Sequence, residues 1–394
     1  MTSLGATGLS RGNEGLRRVT GVVIGVRINS DPGGILIFVL LRLLVFSLVL
    51  ILGGCAVRPM RPGYQGPALR TPEVEKYYNA SFVTPVSTEK LLETHPRYTV
   101  KEVTIQTEFG ESIVELYQKR RKVSDELVLI FPILGGKYWF ERYYARFLVR
   151  AGIDAAIILR NPEFKKPENV DRIEELLREG VVRDRRTIDV MERNYGKKQF
   201  GSFGISRGGI NVAITAGVEP RLKSNVIVMG GTDIVGIFRD TNQRGVGRYI
   251  KKVLALKGNG YTEEDFLNFL ERTIKTDPMS LAKYLDARHT LMFITLFDRT
   301  VPVKYQTRLR EAIGFPETYY LPTDHYLSLL YTQFVPMLPP SREATLLPFD
   351  FIETESIKFY RREFGMKGVR LMDLPFDLFL VPSRAFFYLW DRVS

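Results

Sequence analysis

The chain has 394 residues, 45% apolar and 25% charged, which suits one large folded domain or two small ones and excludes a disordered or fibrous chain. Its formal net charge is +12, but beyond residue 55 basic residues are scattered among acidic ones, which excludes a recognisable nucleic-acid module. One cysteine excludes a disulfide framework, and three separated histidines without H-E-x-x-H argue against a metal site; no dinucleotide fingerprint or phosphate loop is present, so no cofactor is expected.

The first element in chain order is an N-terminal signal or anchor over residues 1–54. Arg42 precedes the apolar run Leu43 to Leu52 (LLVFSLVLIL), which closes on Leu52-Gly53-Gly54-Cys55. A basic flank, a short apolar core and small residues at the cut form the layout of a secretory signal. Leu-Gly-Gly-Cys resembles the lipobox of bacterial lipoproteins. That resemblance implies a diacylated Cys55 as the mature N-terminus, a membrane contact through its lipid, and an envelope location facing the periplasm or exterior. The competing reading is an uncleaved membrane helix over Ile35 to Leu52, which Arg42 at its middle makes costly. Residues 1–34 lack a clear apolar core and fit an over-called start. Residues 55–97 read as a tether and N-terminal extension, because Arg58 to Thr71 is rich in Pro, Gly and Arg.

From Tyr98 the pattern becomes that of a folded domain, expected over residues 98–340. Tyr98 to Gln106 and Ser112 to Tyr117 alternate around Glu108-Phe109-Gly110, which predicts a hairpin. Leu127 to Phe131 and Ala155 to Leu159 are continuous apolar runs, the mark of strands buried on both faces. Lys137 to Ala151 reads as a helix between them, and Asn169 to Tyr195 as another. Strands follow at Phe200 to Phe203, Asn225 to Met229, Thr290 to Phe297 and Pro316 to Pro322. Strands alternating with helices imply a mostly parallel sheet with helices on both faces.

Two stretches do not fit that alternation. An insertion of about sixty residues, near 232–288, carries helix signals of its own. Thr262 with Asp265 forms a capping box, Tyr261 and Phe266 are spaced as a hydrophobic staple, and Pro278 after Asp277 starts a further helix. Phe266, Phe269 and Leu270 share one face. The insertion is expected as a helical cap above the strand ends. Residues 341–394 form an aromatic-rich C-terminal extension; Leu371 to Trp390 is interrupted by Pro375 and Pro382, so it is no membrane helix.

The chemistry gathers at three places. Gly204-Ile205-Ser206-Arg207-Gly208 is a G-x-S-x-G pentapeptide between a strand and a helix, a turn that lifts a serine hydroxyl clear of the sheet. Asp298 follows the strand Thr290 to Phe297 directly. His325 lies just past the strand Pro316 to Pro322. All three therefore fall beyond the carboxyl ends of strands, where open α/β sheets place ligands. Asp324 is a rival acid, although adjacent side chains on an extended segment diverge. His289 precedes its strand and belongs at the opposite sheet edge, and His95 lies before the domain.

This arrangement over residues 98 to 338 resembles the α/β-hydrolase superfamily: an α/β fold with a helical cap and the order Ser, Asp, His. The resemblance implies Ser206 as nucleophile, His325 as base and Asp298 as the group that orients the imidazole. It also implies an oxyanion hole of backbone N–H groups, one from Arg207 and one from the loop after the Leu127 strand. Many relatives have His-Gly there, whereas this chain has Pro132, which lacks an N–H, so Ile133 or Leu134 must donate. The expected activity is hydrolysis of a carboxylic ester on a small or lipid-like acyl substrate, with thioester and amide open. A catalytically silent fold serving as an envelope scaffold is the alternative of a different class.

Overall fold

The computed structural model describes residues 56–79, 87–121, 124–135, 137–160, 162–258, 260–332 and 351–366. Every described residue lies in one compact unit within residues 53–394. The signal or anchor segment, Cys55 and the run Leu371 to Trp390 lie outside the described residues.

Ten strands form one sheet: β1 Ala56–Arg58, β2 Ser87–Thr94, β3 Tyr98–Thr107, β4 Gly110–Lys119, β5 Glu126–Phe131, β6 Asp154–Leu159, β7 Gln199–Ile205, β8 Leu222–Val228, β9 Thr290–Thr295 and β10 Glu317–Leu321. Their spatial order is β1-β10-β9-β8-β7-β5-β6-β4-β3-β2. The six strands β5 to β10 are mutually parallel. The meander β2-β3-β4 and the short β1 join antiparallel at the two edges.

The parallel strands are mostly apolar and mostly buried because both of their faces are covered. On one face Val128, Ile130, Phe203, Val226 and Phe293 pack under α2 (Trp139–Arg150) and α10 (Phe351–Glu363). Tyr144 of α2 stacks on Phe203 with ring centroids 3.7 Å apart. On the other face Leu127, Leu129, Phe131, Ile227 and Met292 meet α3 (Ile173–Tyr195), α4 (Arg207–Val218) and α9 (Val303–Ile313). The period-two alternation of β5 divides its side chains between these two cores.

Three expectations need correction. The supposed tether Arg58 to Thr71 is bonded to the domain: Arg61 N–H reaches the Phe315 carbonyl at 3.1 Å, Ala68 N–H the Lys283 carbonyl at 2.9 Å, and Arg70 Nε the Gly217 carbonyl at 2.8 Å. The segment continues into α1 (Pro72–Tyr78) and then β2, so residues 56–97 contribute two strands and a helix to the fold. Part of the supposed C-terminal extension is core: α10 buries Phe351, Ile352, Phe359 and Tyr360, and the Tyr360 hydroxyl donates to the Ser202 carbonyl at 2.6 Å. Gly201 makes room for it, since a Cβ there would stand 2.9 Å from the Tyr360 ring. The helix expected from Asn169 opens as a 3-10 turn, Pro167–Arg172, before α3.

The insertion folds as α5 (Ile234–Asp240), α6 (Arg244–Lys257), α7 (Glu263–Thr273) and α8 (Pro278–Leu281). The capping box forms, with Asp265 N–H donating to Thr262 Oγ1 at 3.1 Å and Thr262 N–H to Asp265 Oδ2 at 2.9 Å. Phe266, Leu267 and Leu270 are buried against Val170, Ile173 and Val253, while Phe269 is half-buried. This face docks the cap onto the domain, and other cap residues face the site.

Candidate active site

The carboxyl ends of β5, β7, β8 and β9 are in register: Phe131 pairs with Gly204, Ile205 with Val228, and Val228 with Phe293. Everything that leaves the sheet there emerges on one edge. β7 ends at Ser206, whose backbone is turned to φ 55° and ψ −120°, and whose N–H donates to the Val228 carbonyl at 2.8 Å. A β-substituted residue at positive φ is strained. The turn is held by close backbone approach, for a Cβ on Gly204 would lie 2.2 Å from the Gly208 carbonyl carbon, and one on Gly208 would lie 2.2 Å from the Phe131 oxygen. Only hydrogen fits at either place.

Asp298 and His325 are brought together by a loose continuation of the β9–β10 ladder. Beyond the strands, Leu296 N–H reaches the Leu321 carbonyl at 3.0 Å and Phe297 N–H the Thr323 carbonyl at 3.1 Å. His325 Nδ1 then lies 2.8 Å from Asp298 Oδ2. The Asp298 carboxylate is buried and its remaining valence is used: Oδ1 accepts from Thr300 N at 2.8 Å and Val301 N at 3.0 Å, and Oδ2 from Thr295 Oγ1 at 2.9 Å and Gln306 Nε2 at 3.0 Å. Asp324 turns elsewhere, its Oδ1 capping the N–H groups of Tyr326 and Leu327, each at 2.8 Å. His289 pairs with Glu363 at the far end of β9, and His95 stacks on Tyr98 outside the site.

Ser206 and His325 both line a cavity of about 610 Å³. Its walls are mostly apolar. Ile205 and Met229 come from the sheet end, Ile210 from α4, Ile173 and Leu177 from α3, and Ile234, Ile237, Phe238, Val246 and Tyr249 from the cap. With His325 Nδ1 committed to Asp298, its Nε2 is the nitrogen free to serve the serine.

Arg207 opens α4, so its N–H is one of the donors a helix start leaves without an intrahelical acceptor. The loop donor requires a correction. Ile133 N–H is engaged by Glu141 Oε1 at 2.8 Å, a buried carboxyl whose affinity for its proton is raised by desolvation. Of the two expected loop residues, Leu134 remains. Gly136, on the same loop, lies outside the described residues.

Sequence reasoning missed Gln306, Thr295 and Glu141. Gln306 sits on α9, eight residues beyond Asp298, fully buried, with Nε2 also donating to the Val301 carbonyl at 2.7 Å. A buried glutamine on an otherwise amphipathic helix is a signal that could have found it. Among the described residues no group of His, Cys, Asp and Glu is arranged to hold a metal.

Solved structures share this architecture. An acetyl xylan esterase from Thermoanaerobacterium sp. JW/SL YS485 superposes with a TM-score of 0.54 at 14% identity, covering 75% of this chain and 96% of its own. One from Paenibacillus sp. R4 gives 0.51 at 16% identity, covering 64% and 87%. The chain has an α/β-hydrolase fold. In the terms of that fold, Ser206 stands at the turn between the central strand β7 and the helix after it, and residues 232–288 are the helical insertion after β8. No family model matches the chain, and no curated protein sequence matches it.

Proposed function

We propose that this protein is a serine hydrolase that cleaves carboxylic esters through an acyl-enzyme, held at a bacterial envelope membrane by a lipid on Cys55. The observation that carries the catalytic reading is a buried, fully bonded Asp298 carboxylate whose partner His325 lines, together with Ser206, one apolar chamber. His325 Nε2 takes the Ser206 proton as Oγ attacks the ester carbonyl. The oxyanion is met by the N–H groups of Arg207 and Leu134. Collapse expels the alcohol, which takes the proton from His325, and water repeats the sequence on the acyl-serine to release the acid.

The two structural relatives are named for acetyl esters of xylan. A cavity of about 610 Å³ is in the range that encloses drug-sized ligands, so the reading here is an acyl or alkyl arm much larger than acetyl. The test is a fluorophosphonate probe followed by a panel of acyl esters of graded length. Covalent labelling at Ser206 and turnover rising beyond the acetyl ester are expected. Folded protein that neither labels nor turns over any ester favours the scaffold reading.

Lipidation rests on the signal layout ending at Cys55. Each buried methylene contributes about 0.8 kcal/mol, so two long chains hold a protein firmly at a bilayer. Mass spectrometry of membrane-extracted protein should find a diacylglyceryl group on an N-terminal Cys55. An unmodified Cys55 inside an intact N-terminal segment overturns the anchor and leaves the hydrolase reading standing.

A further inference from the structure

The side chain of Arg207, whose backbone serves the oxyanion hole in the reading above, has no evident role in that chemistry. The residue is half-buried; its Nε is shut off from solvent and has no hydrogen-bond partner. Among the described residues it forms no salt bridge; its neighbour is the Phe164 ring, with Cζ 5.4 Å from the centroid. Lys165 shares that ring, with Nζ 5.6 Å from the centroid, and donates to the Leu134 carbonyl at 2.6 Å. Two cations thus stand beside the nucleophile with no carboxylate bonded to either among the described residues. Both feel it: burial, then the charge of Arg160, pushes Arg207 down to about 10, and burial, then the charge of Arg207, lowers Lys165. Arg207 is still protonated at neutral pH.

The acidic groups nearby are committed elsewhere. Asp184 is paired with Arg160 at 2.7 Å and accepts from Thr215 at 2.7 Å. Glu163 is paired with Lys166 at 2.6 Å. Asp277 receives the N–H groups of Asp233, Ile234 and Met279 at 3.1, 2.6 and 2.6 Å. Burying a cation without a counter-charge is costly, and an anion entering from solution removes that cost.

There is room for one. A second cavity, of about 70 Å³, is lined by Arg207, Lys165, Arg160 and Tyr138, and it shares Arg207, Lys165, Phe164 and Ile133 with the large chamber. At about 10–15 Å³ for each water, it holds several waters or one carboxylate. The start of α4 adds its dipole in the same sense. A planar guanidinium fork matches a planar carboxylate in two parallel hydrogen bonds. A doubly charged phosphate is disfavoured by Asp184, Glu163 and Glu179, which also lie on this wall.

We propose that Arg207 and Lys165 form a carboxylate-binding subsite beside Ser206, so that the preferred substrates are esters with one apolar arm and one arm bearing a carboxylate. This rests on the ester-hydrolase reading and narrows its substrate class.

The test uses the full chain and two matched substrate pairs. 3-Carboxyphenyl hexanoate against 3-carbamoylphenyl hexanoate places the charge on the leaving arm; monophenyl adipate against its amide places it on the acyl arm. The readout is the ratio of kcat/KM within a pair, which a general loss of activity does not move. In one pair the carboxylate should win by about 10- to 100-fold, the range of a charge-assisted hydrogen-bond pair. Arg207→Gln should bring that ratio to about one, Arg207→Lys should restore part of it, and Lys165→Gln should lower it several-fold. Neutral esters turned over with no carboxylate preference in either pair overturn the subsite, as does a preference that survives Arg207→Gln. If folded protein turns over no ester at all, the hydrolase reading fails by itself. The subsite is then judged from Kd ratios for the same pairs in Ser206→Ala protein, where equal Kd values overturn it.

Discussion

Asp298 is a buried charge and Arg207 a half-buried one at the end of the same sheet, and they are held in opposite ways. The Asp298 carboxylate accepts five hydrogen bonds, from two backbone N–H groups, a threonine, a glutamine and His325. The Arg207 guanidinium rests on an aromatic ring with its Nε unbonded. A charge that must orient a base through every turnover needs constant partners, because reorganisation in mid-reaction adds to the barrier. A charge that receives a ligand needs the reverse, a partner that comes and goes. On the proposed function, the contrast separates a fixed element of the machinery from an open one within one site.

The largest effects should come from the fixed side. Ser206→Ala, His325→Ala and Asp298→Asn are each expected to lower kcat by about 10⁴-fold on a simple ester, with Asp324→Asn close to wild type. A crippled Asp324→Asn beside a mild Asp298→Asn would reverse the assignment of the acid. Next comes stability, where the contrast is sharpest. Asp298→Ala leaves buried donors without an acceptor and should lose about 3–5 kcal/mol in urea unfolding. Arg207→Met removes an uncompensated charge and a ring contact together and should stay within about 1 kcal/mol of wild type. Equal losses in the two variants would mean that Arg207 is as structural as Asp298.

Smaller effects test the surroundings. Gln306→Leu takes away one of five donors to Asp298, and kcat should fall about 10-fold with KM little changed. A shift confined to KM would place Gln306 outside the orienting network. Val246→Trp narrows the chamber from the cap side, so the ratio of hexanoyl to acetyl ester kcat/KM should drop several-fold. An unchanged ratio would assign the cap a packing role alone.

The parts of the fold that could be read from sequence were those specified locally. β5 and β6 carry continuous apolar runs, β7 to β10 have shorter apolar stretches between helix signals, and the elbow glycines obey a steric demand that leaves no alternative. β2 was invisible because STEKLLET is exposed along most of its length, with Leu91 59% and Leu92 44% exposed, so no alternation marks it. Its strand character comes from pairing with β3, a non-local cause. α10 was hidden for the opposite reason: Glu353, Thr354, Glu355 and Ser356 are all buried, so the polar letters of FIETESIKFY suggest a surface that does not exist. Glu141 could not be foreseen as the acceptor for Ile133 N–H, because that contact depends on the angle at which α2 leaves its left-handed Tyr138 cap. Within the site, the Ser, Asp and His positions were legible as residues after strand ends. The bonds that orient them, and the charge left unbonded, were not.

β1 begins at Ala56, one residue after Cys55, and is already paired with β10. An acyl anchor at Cys55 would then have no leash. Flexible linkers let a domain sample a range of heights and orientations above a surface. Here the strand bonded to β10, the strand that leads to His325, would itself be the attachment. With a lipid on Cys55 as proposed, this edge of the sheet would stand close to the bilayer, with little chain between the fold and its anchor.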